Sequence, residues 1–441
     1  MEWLHEVVAA KWREQSKQYA QDINEFVRIG VETDWTAQQE EPQDERYRLA
    51  PEVMHMIEAA NAAGEIEQLH TLLPPASSPL LALFSEEAAS TTLQPVFPLG
   101  FAGTRVLLQT GIGASISRIC LATEDEIILV KDVRRAGFSP DGAYVALADE
   151  KGISIIMHPD LELKGIEVAY YEWQSIQSTI ADFLPNIQSL ATAESAVYSL
   201  LQLIPFDQGK SLLLVSEYGV YVLSKGNITI LSPSPEEITE YGADYDSTWS
   251  SMVHGAVSID EQWIAYGNQG SEHGLLHMPT QQRHTFAPQS SYPHYSLFNV
   301  ESTAVWYNAC HFYNGATARV NLAAVQRGEI GAYDELQLVD EEMRVYAGVA
   351  LEQGNILGDA YGYLRLIDHQ GVEIWRHYLS GTIAGMTISP DERWLIVGTY
   401  SGMAHWLDLH HGSMHEYNIG TAPILETYRW ILWNDRVPLR W

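Results

Sequence analysis

Four histidines lie close together late in the sequence, and imidazole nitrogens are common metal ligands. The stretch HWLDLHHGSMH carries them within eleven residues, as His405, His410, His411 and His415. A hairpin could bring two or three of these rings to one metal ion. In a repeat of β-sheets, however, such residues sit mostly on outer strands and turns in water. We therefore interpret them as solvated or structural histidines, and we predict no metal and no cofactor.

Three aspartates follow an apolar residue and a serine at a turn. They are Asp141, Asp260 and Asp391, in FSPDG, VSIDE and ISPDE. Such carboxylates can look like metal ligands, but an aspartate at a turn more often accepts hydrogen bonds from the backbone amides of that turn. We predict this structural role. Because no G-x-S-x-G, H-E-x-x-H or paired C-x-x-C pattern is present, we also expect that the chain is not an enzyme.

The aspartate turns belong to a longer repeat. Three segments align: AGFSPDGAYVALADEKGISII, GAVSIDEQWIAYGNQGSEHGLLHM and GMTISPDERWLIVGTYSGMAHWLD, which begin at Ala136, Gly255 and Gly385. Each combines a short strand, the aspartate turn, an apolar strand, a glycine turn and a third strand, which is an all-β pattern. Weaker copies fill the gaps, so that there are about seven repeats at a spacing of roughly 40 to 65 residues.

A sheet of four short strands cannot bury both of its faces alone, so we expect such units to stack radially. The motifs FSPDG and ISPDE, each followed by an apolar strand and a glycine turn, resemble the first turn and second strand of WD-repeat-like β-propellers. DAYGYLRLIDHQGVEIW and YSGMAHWLDLHHG also resemble blades of the quinoprotein-like type. The resemblance covers about residues 95–430 and implies a mostly β fold, a roughly seven-bladed β-propeller, without identifying one family.

The N-terminal part of the sequence has a helical pattern instead. Apolar residues from Trp3 to Val27 recur at helical spacing, and a second helical stretch follows Pro51. We predict an N-terminal α-helical region over residues 1–92 and a propeller over residues 93–441. The stretch at about 165–200 is either a helical insertion or a diverged outer strand pair, and residues 425–441 can supply an outer strand of the last blade.

Acidic residues dominate the charge of the chain. There are 25 Lys and Arg residues against 57 Asp and Glu residues, which gives a formal net charge of −32. Such a field repels nucleic acid and anionic membranes and attracts basic proteins. Two distant cysteines, Cys120 and Cys310, predict no disulfide framework. The sequence has no apolar stretch long enough for a membrane helix and no secretory signal pattern, so we expect a cytoplasmic protein. The sequence does not predict the oligomeric state.

The repeat alignment places several acidic loops on one side of the predicted propeller. Two segments, 232–249 and 332–344, each precede an inner strand and are predicted to connect blades, and the second turns within blades face the same side. Aromatic residues lie among these charges, as in a surface that anchors and steers a protein partner. The predicted partner-binding residues are Asp149, Glu150, Glu217, Glu240, Tyr241, Asp244, Tyr245, Asp246, Trp249, Glu272, Tyr333, Asp334, Glu335, Asp340, Glu341 and Glu342. The alternative is a solvated rim that only keeps the chain soluble.

These features favour a protein-binding module. The most concrete version is an acidic, immunity-type protein that captures and neutralises a basic partner such as a toxin or a nuclease. A general scaffold or assembly factor is an equally open alternative. A third is an enzyme or small-molecule binder that uses the central funnel, although the sequence offers no ligand set for one.

Overall fold

The computed structural model describes residues 2–75, 93–111, 117–224, 226–241, 246–312, 314–433 and 436–441. In these ranges the strands form seven separate antiparallel sheets, six with four strands and one with five. Within each sheet, neighbouring strands follow one another along the chain. The chain is thus a seven-bladed β-propeller, and the fold class predicted from the repeats is confirmed.

The blades are numbered here in chain order. The strands of blade 1 are Val96–Ala102, Arg105–Thr110, Arg118–Ala122 and Ile127–Leu129. Those of blade 2 are Arg135–Phe138, Tyr144–Ala148, Gly152–Met157 and Ile166–Glu172. Those of blade 3 are Leu200–Phe206, Ser211–Ser216, Gly219–Ser224 and Asn227–Ser232. Those of blade 4 are His254–Val257, Trp263–Gly267, His273–His277 and Gln282–Phe286.

The remaining three blades follow the same plan. The strands of blade 5 are Tyr292–Phe298, Ala304–His311, Asn314–Asn321 and Gln337–Asp340. Those of blade 6 are Val345–Leu351, Gly354–Asp359, Tyr363–Ile367 and Glu373–Tyr378. Those of blade 7 are Ile383–Ile388, Trp394–Thr399, Met403–Asp408, Leu425–Ile431 and Leu439–Arg440. Residues 425–441 therefore supply the two outermost strands of blade 7.

Burial of the strands changes from the inner to the outer part of a blade. Every residue of the second strand of blade 3, Ser211–Ser216, is buried, whereas most residues of the outer strand of blade 2, Ile166–Glu172, are exposed. The second strand has neighbours on both of its faces, and its sequence SLLLVS is accordingly apolar over consecutive positions. This pattern explains why the sequence predicted the inner strands of each repeat clearly and gave a weaker signal for the outer strands.

Helices form most of the regular structure before blade 1. They are α1 (Glu6–Glu32), a 3₁₀ turn (Glu45–Arg48), α2 (Ala50–Ala63) and α3 (Leu69–Leu72). The buried face of α1 includes Trp12, whose indole N–H donates to the carbonyl of Pro74 at 2.9 Å. Further helices are Trp173–Phe183, Pro235–Tyr241 and Leu322–Gln326, with 3₁₀ turns Leu190–Thr192 and Ala196–Ser199. No helix in the described ranges is long and apolar enough to cross a membrane.

The stretch at about 165–200 combines the two structures that the sequence left open. Residues Ile166–Glu172 are the outer strand of blade 2, and the helix begins only at Trp173. Trp173, Ile176 and Ile180 on this helix are buried against the core of blades 2 and 3. An amphipathic helix in this connection therefore covers apolar strand residues that water would otherwise reach.

Two compact units make up the chain. The first comprises Met1–Phe97, Tyr361–Leu366 and Glu373–Trp441, and the second comprises Pro98–Ala360 and Ile367–Val372. In the first unit, one apolar cluster joins α1, α2 and α3 to the outer strands of blade 7. The helices before blade 1 and the outer strands of blade 7 thus share one apolar core.

Candidate functional site

The three turn aspartates hold their own turns. Asp141 accepts hydrogen bonds from the Ser139 hydroxyl at 2.6 Å and from the Ala143 N–H at 3.0 Å. Asp260 and Asp391 accept the equivalent bonds from a serine hydroxyl and a backbone amide. The structural role predicted from the sequence is confirmed, because these oxygens are already occupied by the backbone that they cap.

The histidines of HWLDLHHGSMH do not converge. His405 lies fully buried in the third strand of blade 7, and its Nδ1 is 3.0 Å from Glu426 Oε1. His410 and His411 are exposed in the following turn, and His415 is half-buried there. Within the described ranges, no group of three or more His, Cys, Asp or Glu side chains is arranged to hold a metal ion.

Hydrogen bonds join several connections at one end of the sheets in the second unit. The N–H of Ser250, between blades 3 and 4, donates to the carbonyl of Glu217 in the second turn of blade 3 at 2.8 Å. The hydroxyl of Thr248 donates to the carbonyl of Tyr218 at 2.8 Å. The N–H of Gln188, in the connection after blade 2, donates to the carbonyl of Asp246 at 2.8 Å. Three separate connections are thereby fixed relative to one another.

Arg344 extends this surface to the connection between blades 5 and 6. Its Nη1 donates to the carbonyl of Phe312 in the second turn of blade 5, and its Nη2 lies 3.9 Å from the Met252 sulfur. Its guanidinium also lies 5.1 Å from the centre of the Tyr346 ring. The loop that carries Glu341 and Glu342 is therefore held at the same end of the sheets.

Four carboxylates at this end have no hydrogen bond or ion pair in the described part of the chain. Together with Trp249, whose side chain is 58% exposed, they form the acidic edge. The acidic edge consists of Glu217, Asp246, Trp249, Glu341 and Glu342. Their carboxylates are exposed to water, and the backbone that carries three of the five residues is cross-bonded. This arrangement can attract and orient a cationic surface.

Other predicted residues at this end already have structural partners. Asp149 accepts from the amides of Lys151 and Gly152, and Asp340 accepts from those of Glu342 and Met343. Glu150 accepts from the Tyr198 hydroxyl at 2.7 Å and from Arg134, and these bonds lower the pKa of its carboxyl group. Glu272 is half-buried in the second turn of blade 4.

Part of the predicted loop assignment is wrong. Residues 337–340 form the outer strand of blade 5, so Tyr333, Asp334 and Glu335 lie within a blade and do not connect two blades. The Ala332 carbonyl accepts from the Ala287 N–H at 2.7 Å, which places this segment beside the end of the outer strand of blade 4. The error arose because the short strand QLVD is half polar and lacks a clear strand pattern.

Four predicted residues cannot be placed as side chains. Glu240 and Tyr241 are the last two residues of the helix Pro235–Tyr241. Asp244 and Tyr245 lie outside the described residues. The acidic edge is therefore defined by the other residues at this end of the sheets.

Acidic residues also occur away from the acidic edge. Asp125, Glu162 and Asp207 are exposed at the opposite ends of the sheets in the second unit. Charge alone consequently does not distinguish one end from the other. The distinguishing features are the exposed indole of Trp249 and the hydrogen bonds that hold its loop.

A pocket in the first unit was not predicted from the sequence. It has a volume of about 500 Å³, and it lies between α1, α3, the outer strand of blade 6 and the turn and outer strand that follow His405. Its polar walls include His70, His377, Glu426 and Arg429. These residues come from distant parts of the chain, and the packing of α3 on blade 7 brings them together. The sequence alone does not predict that packing.

A buried ion pair forms one wall of this pocket. Arg429 donates to both oxygens of Glu426, at 2.6 and 2.7 Å, and Glu426 also contacts His405. Burial alone would raise the pKa of Glu426, but the charges and hydrogen bonds of Arg429 and His405 together outweigh it and hold that pKa well below its usual range. Burial lowers the pKa of His70 and of His377 to about 4, so both rings are neutral near pH 7.

Comparisons with known proteins identify no family for this chain. No family model and no curated protein matches the sequence. Among solved structures, hydrazine synthase of Kuenenia stuttgartiensis matches with a TM-score of 0.41 and 10% identity, over 63% of this chain and 77% of that one. BamB from Moraxella catarrhalis matches with a TM-score of 0.38 and 13% identity, over 69% and 82%. The chain is a β-propeller protein, and these distant likenesses carry no argument about its activity.

Proposed function

We propose that this chain is a protein-binding β-propeller that captures a basic partner through the acidic edge. The observation that carries the proposal is the set of unpaired, exposed carboxylates Glu217, Asp246, Glu341 and Glu342 around the exposed Trp249. Opposite charge steers the encounter, and an exposed indole supplies apolar contact area once the surfaces meet. Cross-bonded connections support this role, because a fixed arrangement loses little entropy on binding.

In its most concrete form, the proposal is that the partner is a toxin or a nuclease and that binding neutralises it. The net charge of −32 favours a basic protein over nucleic acid or an anionic membrane. Cys120 and Cys310 are both free and buried, which supports action in a reducing compartment such as the cytoplasm. We propose binding and not catalysis as the activity. A scaffold that assembles basic proteins without inhibiting them is the alternative within the same class.

The test compares two variants with equal changes of charge. The edge variant carries E217Q, D246N, E341Q and E342Q, and the control variant carries D125N, E162Q, E167Q and D207N. Partners captured from a native lysate at low salt are identified for each protein. A basic protein that binds the native chain and the control, is lost with the edge variant and is released by high salt is the expected result.

Two outcomes would contradict the proposal. Equal loss of the partner in both variants would mean that only net charge matters, and equal retention would mean that the acidic edge is not used. Co-expression then separates the two versions of the proposal. Suppression of the captured protein's toxicity indicates neutralisation, whereas a stable assembly with no inhibition indicates a scaffold.

A further inference from the structure

A second cavity lies at the outer edge of blade 3, within the second unit. Its walls come from the end of the helix Trp173–Phe183, the outer strand Asn227–Ser232, the helix Pro235–Tyr241 and one residue of the outer strand of blade 4. Its volume is about 400 Å³, and small-molecule sites usually enclose about 300–1,000 Å³. We call this cavity the blade 3 cleft.

The strand register divides the lining of the blade 3 cleft into two sides. Ile228 and Ile230 pack in the core shared by blades 2 and 3. Thr229 lies between them in the strand, directly opposite Val222, whose side chain belongs to the core shared by blades 3 and 4. Because directly opposite residues of an antiparallel pair lie on the same face, Thr229 faces blade 4. An apolar and a polar part of the lining therefore lie on opposite faces of one edge strand.

Arg283 reaches the polar side of the cleft from blade 4. It lies directly opposite Leu276, which belongs to the core shared by blades 3 and 4, so its side chain is directed toward blade 3. Its Nη2 donates to the carbonyl oxygen of Ile230 at 2.9 Å, which holds the guanidinium against a residue of the lining. Within the described ranges this is its one hydrogen bond, and it has no ion pair. Arg283 is exposed to water, so most of its five N–H donors remain available to a ligand.

The charge of the lining is that of Arg283 alone. Among the described residues that line the cleft, it is the one ionisable side chain. Asp182, Glu236 and Glu237 are next to lining residues in the sequence but do not line the cleft. Asp182 and Glu236 are exposed to water, and Glu237 accepts from the backbone N–H of Ser234. The cleft thus offers a cation without a counter-charge of its own, which favours an anionic group on the ligand.

The other side of the cleft offers apolar surface. Leu184 and Ile238 continue the wall formed by the two isoleucines, and they pack in the same core. Phe183 completes this wall with a side chain that is 58% exposed, an unusual exposure for a large apolar residue in a cavity. A ligand that covers these side chains removes apolar surface from water, which is favourable.

A ligand that fits both sides has an apolar body and one anionic end. A carboxylate matches the planar guanidinium, and the Thr229 hydroxyl can donate to it as well. We propose that the blade 3 cleft binds a small monocarboxylate with an apolar body, of the medium-chain fatty acid type. Its carboxylate lies at Arg283 and its chain covers Ile228, Ile230 and Phe183. The lining includes no residue of the acidic edge, so this proposal does not depend on the proposed function.

The test uses the full chain and a series of fatty carboxylates. Hexanoate, octanoate and decanoate are titrated at physiological salt, below micelle-forming concentrations, by calorimetry and saturation-transfer NMR. We expect a Kd on the order of 0.1 mM for octanoate. Each step of the series should tighten binding by about fivefold, because two further methylene groups become partly buried. Octylamine, which has the opposite charge, should bind at least about fivefold more weakly than octanoate.

Substitutions at Arg283 test the polar end. Arg283→Gln should weaken octanoate binding by about fivefold and leave the binding of uncharged octanol unchanged, because only the carboxylate pairs with the guanidinium. Arg283→Lys keeps the charge and should retain most of the affinity. Arg118→Gln removes an exposed arginine from blade 1 and is the matched control, which should bind octanoate as the native chain does.

A substitution at Phe183 tests the apolar wall. Phe183→Ser should weaken the binding of octanoate and of octanol alike, by about fivefold, because both lose the same apolar contact. Phe312→Ser removes a ring that is 71% exposed in the second turn of blade 5, and this control should leave binding unchanged. Both rings are exposed, so neither substitution should prevent folding.

Three results would overturn the proposal. One is that the folded native chain binds none of the three carboxylates at ten times the expected Kd. Another is that octanoate binding is unchanged in both Arg283→Gln and Phe183→Ser. The third is that octylamine binds as tightly as octanoate, because the lone guanidinium of the lining excludes this.

Discussion

Two sets of carboxylates in this chain differ in whether their oxygens have a hydrogen-bond or ion-pair partner. In the first set, Asp141, Asp260 and Glu426 have their oxygens occupied by a turn or by a buried guanidinium. In the second set, the four carboxylates of the acidic edge have no hydrogen bond or ion pair in the described part of the chain. A carboxylate that accepts hydrogen bonds or pairs with a cation stabilises the fold. A carboxylate without such a partner, in a chain with a net charge of −32, adds repulsion between negative charges. Function is therefore to be sought in the second set, and stability should depend on the first.

The largest effect should come from the buried pair of the first set. Arg429→Met leaves the Glu426 carboxylate buried without its cation, which should cost about 3–5 kcal/mol of unfolding free energy. The double variant E426Q/R429M removes both charges and should recover a large part of this loss. Urea unfolding of the single and double variants measures the difference. Equal stabilities of Arg429→Met and the native chain would show that Glu426 does not depend on its partner.

A pH effect of similar origin should follow from the buried histidines. The pKa values of His70, His254 and His377 are lowered to about 4 in the folded chain, chiefly by burial. Between the usual value near 6.5 and pH 4, the unfolded chain binds protons that the folded chain does not. Stability should thus be full above about pH 6.5 and should fall as the pH is lowered toward 4.

Urea midpoints at pH 7.5, 6 and 5 test this slope. The variant His377→Asn removes one of these groups and should flatten the slope between pH 6.5 and 5. His55→Asn is the control, because His55 is exposed, and should leave the slope as it is. A slope that rises toward acid pH would contradict the burial of these rings as neutral groups.

A smaller effect is expected at the turn aspartates. Asp141→Ala removes the acceptor for the Ser139 hydroxyl and the Ala143 amide, so it should cost about 1 kcal/mol of unfolding free energy. Partner binding should not change, because this turn lies at the opposite end of its sheet from the acidic edge. Thermal and urea unfolding measure the first effect, and capture of the basic partner measures the second.

The smallest effect on stability should come from the acidic edge. Glu217→Gln and Asp246→Asn should change the unfolding free energy by less than about 0.5 kcal/mol, because exposed substitutions away from special features have little effect. The same changes should reduce the rate of association with the basic partner and its dependence on salt. If they destabilised the chain as much as Asp141→Ala does, the distinction between the two sets would be lost.

The sequence predicted the structural features that are encoded by consecutive residues within each repeat. FSPDG and its copies carry the turn, the capping aspartate and the apolar strand within a few consecutive residues. These copies and the weaker ones between them predicted about seven blades. The outer strand of blade 5 was less predictable: QLVD was read as part of a loop between blades, and Tyr333, Asp334 and Glu335 were assigned to that loop. This strand has only four residues, too few for an alternating pattern to stand out.

The pocket was beyond the reach of sequence analysis for a different reason. His70 and Arg429 are separated by most of the chain, and they meet only because α3 packs beside the outer strands of blade 7. Nothing in the local patterns near either residue indicates this contact. The histidine cluster that did attract attention, His405 to His415, supplied one buried ring for Glu426 rather than a metal site.

The bonds made by residues 246–250 have a consequence for how the acidic edge can change during evolution. Surface loops usually tolerate insertions and deletions. Here Thr248 and Ser250 tie one connection to the second turn of blade 3, and Asp246 ties it to the connection after blade 2. An insertion in one of these loops would displace the others. Partner preference should therefore diverge by exchange of side chains on a conserved backbone length.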